Sequence, residues 1–287
     1  METDDDCTLV SMSDSRDGRS GGYPGHWTGR FIWPESPPNQ EPAIKPLYRM
    51  FRKTFTVNET FDRAVLRITV GDKFIAYCNG VYLGRGPCRS LLPQWSFYDS
   101  FDLTPHLQPG KNVLAVMVFW HGMTNCFCAD QRAGLWAEAD ITLKQGQIQR
   151  IFTGPSWKTR ACEGWDTSAS RVNDCQGLLV ECFRAGLDPV DWHACDYDDG
   201  TWSGSTVLSV YNRWEELSNS ACWEYLEPRL TPPLEEIPVR PVKILQSGYT
   251  SFSADLAGAT AVAERLAGND YKPESLPGLS LGSVHLV

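Results

Sequence analysis

Apolar and polar residues alternate with a period of two through much of the chain, and that alternation sets the expected elements. Leu66, Ile68 and Val70 fall on one side of an extended segment with Arg67 and Thr69 on the other, as a strand with one buried face requires. Phe74–Cys78 alternates again and runs into Asn79-Gly80, the dipeptide best able to supply the two positive-φ residues of a type I′ turn, before Val81-Tyr82-Leu83 returns. A two-residue hairpin is predicted there. Gly84-Arg85-Gly86-Pro87 is expected to end the pairing, because proline has no amide to donate and glycine permits a bulge. Trp95–Leu103 and Asn112–Trp120 read as the next strands, separated by a turn at Pro109-Gly110, and the near-continuous apolar character of the second marks it as central. Leu135–Leu143, Ile148–Phe152 and Ser156-Trp157-Lys158 continue a sheet.

The C-terminal third is more broken. Trp165–Gly177 reads as a loop, Leu178–Phe183 as a short strand, and Asp191–Trp202 as a tight aromatic and acidic turn. Leu226–Pro241, punctuated by prolines, is expected to be a linker or an edge segment. Only Ser253–Leu266 has helical character, with Ser253 as N-cap and an alanine-rich run behind it. Residues 1–26 are rich in Ser, Gly and Asp and are expected to be disordered. The reading is thus an all-β chain. An antiparallel β-sandwich spans residues 27–240, with its core at about 48–210, and a tail of residues 241–287 carries one short C-terminal helical segment.

Composition agrees with this class. Eleven Trp, ten Tyr and twelve Phe alongside 24 Gly and 19 Pro suit short strands and tight turns better than long helices. A net charge of −9 argues against nucleic acid, whose phosphates call for clustered Lys and Arg. No apolar run approaches the roughly 20 residues that span a bilayer, and the acidic first 23 residues do not resemble a signal peptide. A cytoplasmic location and no membrane partner are expected. Ten cysteines occur without a paired CxxC motif; Cys126-Phe127-Cys128 alone does not make a zinc site. Isolated buried thiols are therefore favoured over disulfides, and no metal or cofactor is implied.

The candidate chemistry is thin. Asp196, Asp198 and Asp199 offer clustered oxygen ligands for a hard cation or for acid–base work, but a turn whose aspartates accept backbone hydrogen bonds accounts for them as well. Trp95, Trp120 and Trp136 carry flat apolar faces able to stack on sugar rings, with packing in the core as the competing role. His121 follows the apolar strand and is placed to hydrogen-bond a hydroxyl, yet no Ser or Cys stands at a known motif spacing from it. No G-x-S-x-G, P-loop or dinucleotide fingerprint is present, and no catalytic residue is assigned.

Several segments carry a resemblance in their order and spacing: Arg52-Lys53-Thr54-Phe55, Tyr77-Cys78-Asn79-Gly80-Val81-Tyr82-Leu83-Gly84-Arg85-Gly86-Pro87, Tyr98–Leu107 and Pro109-Gly110-Lys111-Asn112-Val113-Leu114-Ala115-Val116. Together with Ser156-Trp157-Lys158 and the run from Asp191-Trp192 to Trp202, the chain resembles the N-terminal β-sandwich of bacterial-type α-L-rhamnosidases over about residues 48–240. The resemblance implies a jelly-roll or galactose-binding-like sandwich. It also implies a family chemistry of inverting hydrolysis of α-L-rhamnosides by acids held in an (α/α)₆ barrel. One helix after Pro241 does not make a barrel, so no catalytic acid is carried over. Three functions are in view: a non-catalytic carbohydrate-binding-like portion of such an enzyme, taking a rhamnose-containing glycoside; a self-contained glycoside hydrolase using the acids of residues 188–199; and an interaction module docking on a separate catalytic chain, which predicts an exposed apolar patch.

Overall fold

The computed structural model describes residues 6–11, 27–34, 47–88, 90, 95–120, 133–166, 182–208 and 225–239. Its strands, in chain order, are β1 (Cys7–Ser11), β2 (Ile32–Trp33), β3 (Leu47–Val57), β4 (Phe61–Val70), β5 (Lys73–Cys78), β6 (Val81–Gly86) and β7 (Trp95–Asp102). There follow β8 (Gly110–Trp120), β9 (Leu135–Leu143), β10 (Gln147–Phe152), β11 (Lys158–Ala161), β12 (Ser203–Gly204), β13 (Thr206–Val207) and β14 (Tyr225–Pro228). The expected helix at Ser253–Leu266 lies outside the described residues, as does most of the expected strand at Leu178–Phe183, of which Phe183 makes an isolated bridge with Trp165.

The strands form two sheets. One runs β1-β10-β9-β4-β7-β14, with β2 paired to both β9 and β13; the other runs β12-β11-β3-β8-β5-β6. All pairings are antiparallel except β14 with β7, which is parallel. As the apolar pattern predicts, β8 is central, registered against β3 from Gly110–Val57 to Trp120–Leu47 and against β5 on its other side. Alternation buries Phe51 and Phe55 of β3, Val116 and Val118 of β8, Leu66 and Ile68 of β4, and Ala139 and Ile141 of β9 in one core. Packing of two inner faces is what a sandwich requires.

The hairpin forms where it is predicted. Asn79 (φ 49°) and Gly80 (φ 84°) join β5 to β6, with Cys78 opposite Val81. Pairing runs on to Gly86 opposite Phe74 before Pro87 ends it. A register shift leaves Leu83 out of the ladder, and Gly84 beside it takes φ 154°, with no room for a side chain because an added Cβ would meet the Phe101 ring at 2.6 Å. Glycine here serves both the bulge and the close approach.

Two expectations are corrected. Cys7–Ser11, inside the stretch expected to be disordered, forms β1 and pairs with β10 from Cys7–Ile151 to Ser11–Gln147. Averaged over 26 residues the composition is polar, but five residues with Thr and Val suffice for an edge strand once a partner edge exists. Asp6, buried just before it, accepts from the Ser156 amide at 2.7 Å. The second correction concerns β4, expected to bury one face only. Arg67 and Thr69 are buried too, because the segment from Trp27 crosses the outer face of the sheet. Trp27 packs edge-on against Tyr98 and Trp136, and Glu138 accepts from the amides of Thr28 at 2.8 Å and Gly29 at 3.0 Å. Charge on this covered face is paired: Arg150 Nε lies 2.6 Å from Asp140 and 3.3 Å from Glu138, and Arg67 lies 3.3 Å from Asp140. No helix among the described residues is long and apolar enough to cross a membrane.

Candidate functional site

The outer face of the six-stranded sheet carries a second, smaller core. Met50 and Ala115 on the strands are buried against Trp192 and Trp202 of the acidic turn, together with Cys162. Arg52, fully buried on β3, holds that turn in place. Its Nε donates to Asp199 Oδ2 at 2.9 Å, Nη1 donates to the carbonyls of Trp192 and Ala194 (3.1 Å), and Nη2 donates to the carbonyl of Tyr197 at 3.2 Å. The guanidinium also sits 5.1 Å from the centre of the Tyr197 ring. A planar fork of donors suits this set of acceptors as an ammonium does not. Asp198 accepts from the Gly200 amide at 2.9 Å, capping the turn that returns the chain to buried Trp202. Of the acidic trio, Asp198 and Asp199 are thus engaged in building the turn.

A second network joins two of the sequence motifs. Asn79 Nδ2 donates to Asn112 Oδ1 at 2.7 Å and to the His106 carbonyl at 2.8 Å, while Asn79 Oδ1 accepts from the Val113 amide at 2.8 Å. Asn112 Nδ2 in turn donates to the carbonyls of Gln108 (2.7 Å) and Gly110 (2.9 Å). The hairpin tip and the Pro109–Asn112 turn are therefore one hydrogen-bonded unit. Nearby thiols are inert by environment: burial pushes Cys78 up to about 12, with Cys195 adding to the rise, and burial likewise raises Cys162.

Of the four residues singled out for sugar contact, the side chains of Trp120 and Trp136 are described. Trp120 is 8 % exposed and Trp136 only 1 %. The Trp136 indole donates to the Gly29 carbonyl at 3.2 Å, and its ring lies among Trp27 and Tyr98, leaving no ring face for a ligand. Trp95 opens β7, but its side chain lies outside the described residues, as does His121. Exposed aromatic surface is found elsewhere, at Tyr82, 43 % exposed, edge-on to Tyr77, on which His193 stacks at 4.6 Å. Burial lowers the His193 pKa, while Asp191 raises it and Arg52 lowers it further. The available signal was the cross-strand pairing of Tyr77 with Tyr82 about the predicted turn.

A groove of about 340 Å³ opens where β3, β11 and the acidic turn meet. Arg49, Thr159, Arg160, Thr201, Trp202 and Ser203 line it, along with Pro34 and Ala161. Among the described residues, no carboxylate lines it. Sequence reading missed the groove because its walls are drawn from residues more than 100 positions apart.

Comparison with known proteins agrees with this architecture. An α-L-rhamnosidase of Streptomyces avermitilis is 26% identical over 183 residues, covering 59% of this chain and 17% of the relative. Among solved structures, a GH78 family rhamnosidase of Bacillus sp. GL1 is 28% identical with a TM-score of 0.60, covering 72% of this chain and 20% of that one. An α-L-rhamnosidase of Aspergillus terreus, 22% identical with a TM-score of 0.51 over 65% of this chain and 22% of that one, shares the fold. The chain spans about a fifth of the length of these relatives. The profile described as the α-L-rhamnosidase N-terminal domain matches residues 59–222, more than half of the chain. The two-sheet sandwich, the Asn79-Gly80 hairpin and the turn clamped by Arg52 lie within or beside that match, and the chain belongs to the α-L-rhamnosidase N-terminal domain family.

Proposed function

We propose that this chain is a non-catalytic, carbohydrate-binding-like sandwich of an α-L-rhamnosidase-like glycoside hydrolase. The observation that carries the reading is the groove whose described lining residues include no carboxylate. Glycoside hydrolysis with inversion calls for two carboxyl groups roughly 6.5–9.5 Å apart across the scissile bond. Asp198 and Asp199, the acids a self-contained hydrolase would draw on, are engaged with Gly200 and Arg52. A rhamnose-containing glycoside is the ligand that family membership favours, bound weakly because a monosaccharide offers few atoms to bury. A cytoplasmic location, with the described cysteines as free thiols, accompanies this reading.

The test is turnover of an aryl α-L-rhamnoside by the purified chain. No hydrolysis is expected. Turnover that survives repurification and is lost in folded Asp198→Asn or Asp199→Asn protein would establish the self-contained hydrolase instead. The docking-module reading draws on a specific feature of its own: Phe183 and Leu187 are each 49 % exposed and Val190 is 78 % exposed along one short segment. Phe183→Ser with Val190→Ser would abolish association with a catalytic chain and leave sugar binding intact.

A further inference from the structure

We infer that the groove between β3, β11 and the 201–203 turn is where the chain holds an uncharged sugar ring, through the hydroxyl of Thr159 and the indole N–H of Trp202. The inference rests on the carbohydrate-binding reading and adds the site and the charge of its ligand. Both residues line the groove. Each carries a buried polar atom with no hydrogen-bond partner among the described residues: Thr159 Oγ1 and Trp202 Nε1, on residues 3 % and 4 % exposed. Buried polar groups are as a rule hydrogen-bonded, and an exception calls for an explanation. An indole N–H only donates, whereas a threonine hydroxyl both donates and accepts, so the group that completes this pair must offer acceptors and donors together. The vicinal hydroxyls of a sugar do both.

The rest of the lining suits such a ring. Thr159 on β11 stands opposite Ser203 on β12, which sets the two side chains on one face, and Thr201 adds a third hydroxyl to the wall. Pro34 and Ala161 supply apolar surface for the C–H groups of a sugar. The volume of about 340 Å³ is that of a small ligand site and takes one ring. Charge around the groove is balanced. Arg49 and Arg160 line it, but Glu163 lies 3.9 Å from Arg160, and Asp188 shares the neighbourhood: burial and then Asp188 raise the pKa of the Cys162 thiol, while Arg49 and Arg160 lower it. With two cations accompanied by two carboxylates, a charge on the ligand finds no complementary field, and recognition falls to the hydroxyls and the indole.

The experiment is a titration of the intact ¹⁵N-labelled chain with rhamnose, followed at the Trp202 indole N–H, assigned by Trp202→Phe. Glucuronate and glycerol are added separately at the same ionic strength. Rhamnose is expected to move the Trp202 signal along a saturating curve, glucuronate to bind no more tightly, and glycerol to leave the signal still. Thr159→Val is expected to weaken rhamnose about threefold to tenfold, the worth of one neutral hydrogen bond. The same variant should leave the urea midpoint of the free chain unchanged or higher, because it removes an unsatisfied buried hydroxyl. Ser203→Ala, at an exposed strand residue, is expected to weaken rhamnose by a similar factor and reports even where Thr159→Val fails to fold. Glucuronate binding more tightly than rhamnose, glycerol matching the rhamnose response, or rhamnose binding indifferent to both hydroxyl variants would overturn the inference. Rhamnose moving other signals while Trp202 stays still would also overturn it and leave the carbohydrate-binding reading standing. Silence of every signal under rhamnose would remove both.

Discussion

Arg52 is a buried cation whose surroundings were assembled from a segment about 140 residues away. Removing it strands Asp199 and three carbonyls. Breaking one side of a buried, hydrogen-bonded pair costs about 3–5 kcal/mol, so Arg52→Ala is expected to lower the urea midpoint by that equivalent. Arg52→Lys should recover little, since an ammonium cannot hold four acceptors spread around a plane. An unchanged midpoint in Arg52→Ala would mean that the acidic turn stands without its clamp. Nothing around Arg52 in the sequence announces this role. Its neighbours Lys53 and Phe55 read as ordinary strand residues, and the partners become visible only when the turn folds back on the sheet. Trp136 and Trp120 show the opposite side of the difficulty: aromatic residue type alone does not say which ring faces water, and segment 27–30 closes over Trp136 from a position the strand's own pattern does not reveal.

Local chemistry is legible where the structure is local. The β5–β6 hairpin follows from a two-residue turn with both φ values positive, and the sequence names both residues. Its anchoring to the Pro109–Asn112 turn is a further layer, and it ranks the effects of substitution. Gly80→Ala puts a Cβ at φ 84°, in ordinary van der Waals contact with His193 at 3.8 Å and Ala194 at 3.9 Å and without a clash, and costs about 1–2 kcal/mol from backbone conformation alone. Asn79→Ala removes one acceptor and two donated bonds, leaving buried Asn112 short of a partner, and should cost about 1–3 kcal/mol. Equilibrium unfolding in urea should therefore place Asn79→Ala at or below Gly80→Ala; the reverse order would show that turn conformation outweighs the network. The acidic turn of residues 191–202 is legible as a turn for the same reason, with aspartates ahead of Gly200. That it closes a second core does not follow from its own residues.

At the scale of the molecule, the two sheets and the central position of β8 follow from alternation and apolar runs, whereas the sheet margins do not. β1 is the clearest case: it supplies the last strand beyond β10 and brings Asp6 to Ser156. Deleting residues 1–11 would leave the β10 edge with unpaired amides and carbonyls, the template on which other chains add. The expected outcome is association that grows with protein concentration in light scattering, and a truncated chain that stays monomeric would place the protection elsewhere. The opposite margin of the same sheet has a consequence in time. β14 lies parallel to β7 and is held there by Arg229 against Asp99, yet some 130 residues separate the two strands. A chain that leaves the ribosome from its N-terminus must therefore present every other described strand first, with the β7 margin open until residue 229 emerges. Closing that margin is the slow, non-local step, and the interval before it is when the nascent sandwich most needs shielding from its neighbours.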